Sequence, residues 1–347
     1  MISLKSLKAF LYINIPILSY SYFVTLIPSI PIPDLIPNLI SIPNLISILI
    51  PTSIQSLIPN SKLIKILYQG SMELLKNLII IRLMKKHISK PLITPNRDST
   101  PSCLYYIVQA SMIKSMTHMI LSPMPNQQFL STHLFPSTHL LPSIQHFFNL
   151  YLEFVLKTFI LELIFDFCHY WIHRTYHNVP ILYRTIHKKH HEIHNPTADT
   201  TFHMSVPDLI LGYSIPLFIS LTTLSYFNFS ISALEFNLIT TYLTYQEVGG
   251  HMGKMMYPTS GFPQCIWLPK LLNIELYTED HHLHHTKVKC NYSKRFRIWD
   301  QLFNTYHNPL SIPTPSFRIS NIINPLNDDQ FIKTHSSETK SKTENRC

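Results

Sequence analysis

Histidines are concentrated in two short stretches of this chain, and imidazole is a common ligand of transition metals in proteins. The chain has 20 histidines among its 347 residues. One stretch runs from Asp166 to His191, and the other, H-H-L-H-H, begins about ninety residues later at His281. Imidazole nitrogens suit Zn, Cu, Fe and Ni. The pattern therefore predicts that the fold brings the two stretches together around metal.

The spacing of these histidines indicates helices that present several rings to one side. His169, His173 and His177 are four residues apart and share one helix face. The motif H-x-x-H-H then occurs twice, and a further histidine stands in G-G-H-M-G. The set that could bind metal comprises His173, His177, His187, His190, His191, His251, His281, His284 and His285. So many imidazoles exceed the needs of a single ion and suit two metals with open positions, although spacing alone does not choose the element.

A carboxylate precedes the first histidines on the same predicted helix. Asp166 lies one turn before His169 and two turns before His173. A carboxylate in this place can accept a hydrogen bond from a ligating imidazole and fix its tautomer. Asp166 is therefore predicted to support the metal ligands.

The composition is that of an integral membrane protein. The chain is 46% hydrophobic and 14% charged, whereas an ordinary soluble domain is about 25% charged. Its net charge of +9 suits cytoplasmic segments beside anionic lipid headgroups, and no basic module for nucleic acid is recognisable. The six glycines spell no nucleotide-binding motif, so redox chemistry here would draw electrons from a partner. The five cysteines form no C-x-x-C pair, and their odd number argues against a disulfide framework.

The chain divides into three predicted regions. Residues 1–100 are a low-complexity Pro- and Ile-rich region with an apolar anchor at Phe10–Ile27 and a basic helix at Lys62–Lys90. Residues 101–310 form a membrane-embedded domain that contains both histidine stretches. Residues 311–347 are a polar, basic and disordered tail.

The apolar segments of the middle region predict how the histidines reach one side of a membrane. From Ser143, a candidate N-cap, nothing breaks a helix before Pro180, so this long helix should cross the membrane and expose its histidine-bearing end. Leu209–Phe227 and Ile231–Tyr245 predict a helical hairpin across the membrane and back, and residues 103–122 form another apolar segment. The hairpin returns His251 and the second stretch to the side of the first.

Beyond the histidines, a fixed set of companion residues makes the sequence resemble a known family. The pattern D-x-x-x-Y-x-x-H-R-x-x-H is filled by Asp166, Tyr170, His173, Arg174 and His177. H-K-K-H-H, H-M-G and H-x-x-H-H follow, and the closing N-Y-S-x(5)-W-D-x-x-F-x-T-Y includes Asp300. Over residues 140–307 the chain resembles the fatty acid hydroxylase/sterol desaturase superfamily of membrane di-iron oxygenases.

The resemblance implies a function and a site. It implies an all-α integral membrane protein of the endoplasmic reticulum, in which transmembrane helices carry a cytosolic helical cap around two iron ions. The nine histidines named above would be the ligands, with Asp166, Tyr170, Arg174 and Asp300 as supports. Many members place another ligand in H-P-x-E, whereas this chain has F-H-M-S-V-P-D, so His203 is a further candidate. His169, His194 and His282 fall outside the family pattern. The oxidant would be O₂, and electrons would come through cytochrome b5 and its reductase.

The substrate implied is a membrane lipid. Two motifs resemble the sterol 25-hydroxylase branch: M-S-V-x-(E/D)-L and V-P-x-L-Y-R-T-x-H-K-x-H-H. The C-4 methylsterol oxidases are the next most similar branch. The resemblance therefore predicts oxidation of a sterol C–H bond. Sterol desaturation, fatty-acyl hydroxylation and aldehyde decarbonylation stay open, because all use much the same histidines. The alternatives of another class are a non-catalytic membrane metal binder and a relative that has lost activity.

Overall fold

The structure, a computed structural model, describes residues 4–26, 60–87, 103–122, 144–254 and 261–308, and these residues are mostly helical. They contain no β-strand, only an isolated bridge between Glu275 and Phe296. The principal helices are α1 (Leu4–Leu26), α2 (Asn60–His87), α3 (Leu104–Leu121), α4 (Ile144–Asn178), α5 (Val206–Tyr226), α6 (Ala233–Gly250), α7 (Thr278–Lys287) and α8 (Ile298–Leu302).

Helix α4 is the long helix that the sequence predicts before Pro180. It contains neither proline nor glycine, and it ends at Asn178, two residues before Pro180 starts a short turn, Pro180–Leu182. Its inner face buries Leu161 and Phe165 against Leu217 of α5 and Leu243 of α6. Each such buried side chain contributes roughly 1.5–3 kcal/mol to stability. The packing holds the histidine-bearing end of α4 in place.

Helices α5 and α6 form the two arms of the predicted hairpin, joined by residues 227–232. Helix α6 begins with a capping box, in which the Ser232 side chain accepts from the Glu235 N–H and the Glu235 carboxylate accepts from the Ser232 N–H. Helix α5 includes one π-helical turn, Ile210–Ser214. Within the described ranges, α5 is the one helix long and apolar enough to cross a membrane.

The N-terminal helices pack on the same body as the hairpin. Ile13 and Ile17 of α1 lie against Leu238 and Tyr242 of α6. Helix α2 packs along α3, and Asn77 donates to Ser111 over 2.8 Å. The described part of the predicted anchor, Phe10–Ile27, thus lies within helix α1, Leu4–Leu26, and is partly buried. Most of the predicted proline-rich segment, the Ser143 cap and the C-terminal tail lie outside the described residues.

Candidate metal centre

The nine histidines that the sequence singles out gather in two groups, in which every ring is buried except the half-buried His177. In each group the ligand-type atoms all lie within 4.8 Å of one another. The first group consists of His173, His177, His187, His191 and His284. The second group consists of His190, His251, His281 and His285. We call them cluster 1 and cluster 2.

Four segments supply the rings. Helix α4 ends with His173 and His177, and the turns that follow Pro180 carry the next three histidines. His251 caps the end of α6, and helix α7 carries the last three. The hairpin α5–α6 therefore separates the two halves of the site in sequence and joins them in space.

The two H-x-x-H-H motifs are each divided between the clusters in the same way. The sequence predicts that each motif directs its rings to one side of a helix. Instead, the outer pair of the first motif, His187 and His191, enters cluster 1, while His190 enters cluster 2. In the second motif the outer pair, His281 and His285, enters cluster 2, and His284 enters cluster 1. On α7, His281 and His285 are one turn apart and nearly aligned, while His284 lies about 100° around the helix axis from His285, so this motif contributes to both clusters. The first motif reaches the same division across a π-helical turn, Tyr183–His187, and a 3-10 turn, His190–Glu192.

Within each cluster the Nε2 atoms face one another. In cluster 1, Nε2 of His191 lies 3.1 Å from Nε2 of both His187 and His284. In cluster 2, Nε2 of His281 lies 2.9 Å from that of His251 and 3.2 Å from that of His285. Metals bind imidazole nitrogen at about 2.1 Å, so two nitrogens at right angles around one ion lie about 3.0 Å apart. The spacing fits one ion in each cluster.

Hydrogen bonds at the other ring nitrogen fix the tautomer that metal binding needs. Nδ1 of His173 lies 2.8 Å from the Tyr292 carbonyl, and Nδ1 of His284 lies 2.7 Å from the Cys290 carbonyl. His251 and His285 meet the carbonyls of Glu247 and Ile193 in the same way. A carbonyl oxygen only accepts, so Nδ1 carries the proton and Nε2 presents a lone pair. Converging lone pairs repel unless a cation lies between them, and this chemistry fits a metal ion.

Burial keeps these rings neutral. It lowers the pKa of His187, His190, His281 and His285 well below the usual 6.5, and neighbouring histidines lower it further. Burial also lowers the pKa of His251 and of His284 to about 4. Neutral imidazole is the form that binds metal, so protons compete with metal only in acid.

We expect the metal-free protein to lose stability as the pH falls from 7 to 5. In the unfolded chain the histidines take up protons as the pH falls through about 6.5. In the folded protein the cluster histidines stay neutral to a lower pH. The unfolded state then binds more protons, so the free energy of unfolding decreases with decreasing pH. Thermal unfolding of chelator-treated protein at pH 7, 6 and 5 measures this; a melting temperature that is flat or rises in acid would contradict it.

Three of the four predicted supports, Tyr170, Arg174 and Asp300, belong to one hydrogen-bonded chain that ends at a cluster histidine. Arg174 donates to the Tyr170 hydroxyl over 2.8 Å, and that hydroxyl bonds Thr305 at 3.0 Å. Thr305 in turn donates to Asp300 over 2.7 Å. The Asp300 carboxylate accepts the backbone N–H groups of residues 292 and 293, and the carbonyl of residue 292 is the one that orients His173.

Asp166 supports the site through the backbone, whereas the sequence predicts a contact with an imidazole. Its carboxylate accepts the N–H groups of Lys294, Arg295 and Phe296 over 2.7–3.1 Å. Asp166 is fully buried, and these three N–H donors satisfy the hydrogen-bonding requirement of its buried carboxylate. Together, Asp166 and Asp300 hold five consecutive backbone N–H groups, those of residues 292–296, which we call the clamp segment.

The further candidate His203 and the three histidines outside the family pattern lie outside both clusters. Nε2 of His203 lies 3.0 Å from the Glu192 carboxylate, and among the described residues this ring belongs to neither group of converging nitrogens. Nδ1 of His169 donates to the Gly212 carbonyl, and this ring lines a cavity beside the clusters. His194 is exposed, and His282 is buried on α7. None of the four joins the facing Nε2 atoms in the part of the chain that the structure describes.

One support went unrecognised in the sequence. Asp208 follows His203 in a stretch that departs from H-P-x-E, and its carboxylate lies 2.8 Å from Nδ1 of His187. The sequence offered one signal, a carboxylate five residues after His203. The histidine that Asp208 contacts is a different one, His187, which lies 21 residues before it. Asp208 therefore fixes the His187 tautomer, which is the part that Asp166 was predicted to play.

We expect Asp208→Ala to weaken metal binding by about 10- to 100-fold, because carboxylates that orient ligating histidines typically contribute this much. Asp208→Asn keeps one oxygen acceptor and should lose less. Metal affinity measured by competition with a chromophoric chelator compares the two variants. Equal affinity in wild type and Asp208→Ala would show that the contact does not orient a ligand.

Comparison with known proteins covers the part of the chain that holds the clusters. Residues 158–305 match the family model for fatty acid hydroxylase. Fatty acid hydroxylase vlmA from a Lecanicillium species is 36% identical over 150 residues, which is 42% of this chain and 40% of that protein. C-4 methylsterol oxidase erg25 of Schizosaccharomyces pombe is 32% identical over 43% of this chain and 46% of its own length. Human cholesterol 25-hydroxylase is 28% identical over 41% of this chain and 48% of its own length.

The matches are partial. The chain spans less than half the length of each of these three relatives, and no solved structure matches it significantly. The matched region nevertheless contains both clusters and all four predicted supports. Residues 158–305 therefore resemble a fatty acid hydroxylase domain, and the predicted resemblance to the fatty acid hydroxylase/sterol desaturase superfamily and its sterol branches is confirmed.

Proposed function

We propose that this chain is an O₂-dependent lipid oxygenase that binds one iron in each histidine cluster. The observation that carries the proposal is the convergence of nine imidazoles in two groups within a domain whose relatives are named as hydroxylases and oxidases. The reaction converts a C–H bond, O₂, two electrons and two protons into a hydroxyl group and water. Further oxidation or desaturation is the alternative outcome of the same chemistry.

The ligands proposed for the two irons are the nine cluster histidines, without His203. Bound iron supplies the activation of O₂, and the protein contributes ligation, orientation and exclusion of water. Three of the rings are oriented by a partner at Nδ1. The clamp segment orients His173, the carbonyl of residue 290 orients His284, and Asp208 orients His187. Imidazole alone would also suit zinc or copper, so the choice of iron rests on the family resemblance.

A cavity beside the clusters is the proposed position of the reacting carbon. Its wall includes cluster rings such as His173, His187, His190 and His281. The rest of its lining combines apolar side chains, among them Phe202, Met204 and Leu209, with the charged residues Lys114, Asp208, Glu247 and Lys294. The apolar side chains would contact a lipid group placed next to the cluster rings.

The proposed setting is the membrane of the endoplasmic reticulum, with the clusters on the cytosolic side. Helix α5 supplies a candidate span, and its Phe218 and Tyr226 are exposed at 54% and 81%. Large exposed apolar side chains on such a helix suit contact with lipid. The electron donor proposed is cytochrome b5 with its reductase, because the glycines spell no cofactor motif for a nucleotide or flavin.

The proposed substrate is a membrane lipid. The sequence wording favours a sterol, and the relatives are named for both fatty acid and sterol oxidation. The catalytic region proposed is residues 101–310, preceded by the region 1–100 and followed by the tail.

Expression of the chain in cells that lack sterol hydroxylase activity tests the proposal. Lipid extracts compared by mass spectrometry should contain an oxygenated lipid with wild type that is absent with His284→Ala. Labelling with ¹⁸O₂ should place the heavy atom in that product. Identical lipids from both strains, across sterol and acyl classes, would sink the oxygenase hypothesis.

A further inference from the structure

A tyrosine, a histidine and a carboxylate form a row of contacts that begins at the cavity beside the clusters. Tyr213, in the π-helical turn of α5, lines that cavity. Its hydroxyl lies 2.7 Å from Nε2 of His118 on α3, and Nδ1 of His118 lies 3.5 Å from the Glu73 carboxylate on α2. His118 and Glu73 lie outside the residues that match the family model. The resemblance to that family therefore does not account for the row.

The two neighbours of His118 determine where its proton lies. A carboxylate only accepts hydrogen bonds, so Nδ1 carries the ring proton towards Glu73 and Nε2 presents a lone pair to the Tyr213 hydroxyl. The phenol proton thus already points at a base. The Glu73 carboxylate, which also pairs with Lys76 over 2.6 Å, stabilises the imidazolium that forms when the ring takes up this proton. This stabilisation offsets the nearby ammonium of Lys114, 4.9 Å from the Tyr213 ring centre.

Ring contacts also connect Tyr213 to cluster 1. Its ring centre lies 6.2 Å from that of Phe165, and the Phe165 ring stacks on His169 at 6.5 Å, with the two planes 7° apart. The His169 ring lies 5.2 Å from that of His173, a member of cluster 1. Nδ1 of His169 also bonds the carbonyl of Gly212, the residue before Tyr213. His169, which falls outside the family pattern, therefore joins Tyr213 to cluster 1 by two routes.

We propose that Tyr213 supplies one electron to the oxidised metal centre and passes its phenol proton to His118. The proposal rests on the proposed oxygenase function and adds an internal reductant to it. When O₂ has oxidised the iron and no lipid C–H bond is within reach, the iron centre gains the electron from Tyr213. The phenol O–H bond breaks, its proton forms a second N–H bond on His118, and a neutral phenoxyl radical remains. An electron from the external donor and the proton from His118 then restore the phenol.

The partner of the hydroxyl distinguishes Tyr213 from other buried tyrosines. A phenol that loses an electron becomes strongly acidic, so the electron leaves readily only where a base takes the proton. The Tyr242 hydroxyl bonds the side-chain oxygen of Asn14, and the Tyr151 hydroxyl bonds the backbone carbonyl of Gln264. Amide oxygens accept hydrogen bonds but are far weaker bases than imidazole, which takes up protons near neutral pH. Tyr213 is therefore easier to oxidise than either of them.

Flash oxidation of the zinc-loaded, full-length chain in detergent tests the pair without turnover. Zinc occupies histidine sites and has no redox chemistry, so a soluble ruthenium photo-oxidant with persulfate is the oxidant. Transient absorption and EPR should detect a long-lived phenoxyl radical in wild type that Tyr213→Phe loses. His118→Gln keeps a hydrogen-bond acceptor without a strong base, and it should reduce this radical by at least about 10-fold. Tyr242→Phe is the matched control and should keep it.

Iron-loaded, reduced protein mixed with O₂ in the absence of lipid tests the connection to the clusters. Freeze-quenched EPR should show the phenoxyl radical in wild type and not in Tyr213→Phe, with the same amount of iron oxidised in both. An unchanged radical in Tyr213→Phe or His118→Gln, or oxidised iron without a radical in wild type, overturns the proposal; His118→Gln serves if Tyr213→Phe fails to fold. Iron that does not react with O₂ contradicts the oxygenase function instead, and the zinc-loaded protein still decides whether Tyr213 and His118 act as a pair.

Discussion

Replacing one histidine in either cluster should remove one metal and nearly all activity. We expect His191→Ala, in cluster 1, and His281→Ala, in cluster 2, each to reduce bound metal from about two ions per chain to about one. Product formation should fall by at least about 100-fold in both, because the loss of a ligand exceeds the typical effect of losing a residue that only orients one. Elemental analysis of the purified protein and mass spectrometry of lipid extracts measure the two effects.

The control for these variants is His194→Ala. His194 lies three residues beyond His191, is exposed, and belongs to neither cluster. It should keep both metals and full activity. If each of the two single variants, His191→Ala and His281→Ala, retained two metals per chain, the proposed ligand sets would be wrong even if the protein proved to be an oxygenase.

The second large effect concerns the clamp segment. Asp300→Ala removes the acceptor of two buried N–H groups and of the Thr305 hydroxyl. Hydrogen bonds to a charged group contribute about 1.5–3 kcal/mol each, and unpaired buried donors add a penalty. Because a single substitution rarely exceeds about 4–5 kcal/mol, we expect the free energy of unfolding to fall by about 3–4 kcal/mol. Metal affinity should fall by about 10- to 100-fold, since the same segment orients His173.

Chemical unfolding in mild detergent, with and without added metal, measures both consequences of Asp300→Ala. Asp199→Ala is the matched control, because Asp199 is an acidic residue whose side chain is 39% exposed and pairs with Lys85 at the surface. A surface ion pair contributes less than about 1 kcal/mol. Equal losses in the two variants would show that the clamp segment does not depend on Asp300.

The elements that hold the site were predictable because their signals are local. The absence of helix breakers between residues 144 and 178 predicts α4, and the two apolar runs around Asn228 predict the hairpin. The histidine set was also predictable, because its members occur in repeated motifs. Between the two runs, Asn228 has a positive backbone angle, with φ of 60°, which suits the turn that joins α5 and α6.

The arrangement within the site depended on contacts between distant segments, which no local pattern records. The division of each H-x-x-H-H motif between two clusters requires the mutual placement of α4, α6 and α7. Asp166 meets backbone groups 128 to 130 residues away, and its partners are N–H groups that every non-proline residue offers.

If each cluster binds one ion, as proposed, the division of the histidines implies an order in which a newly made chain could acquire the two metals. Four of the five rings of cluster 1 come from residues 173–191, so most of that site is complete soon after α4 and the following turns are synthesised. Cluster 2 takes only His190 from this part of the chain and waits for His251 and the two rings of α7. The first ion can therefore be held early by a nearly continuous piece of chain, whereas the second enters only after the hairpin has formed and α7 has docked.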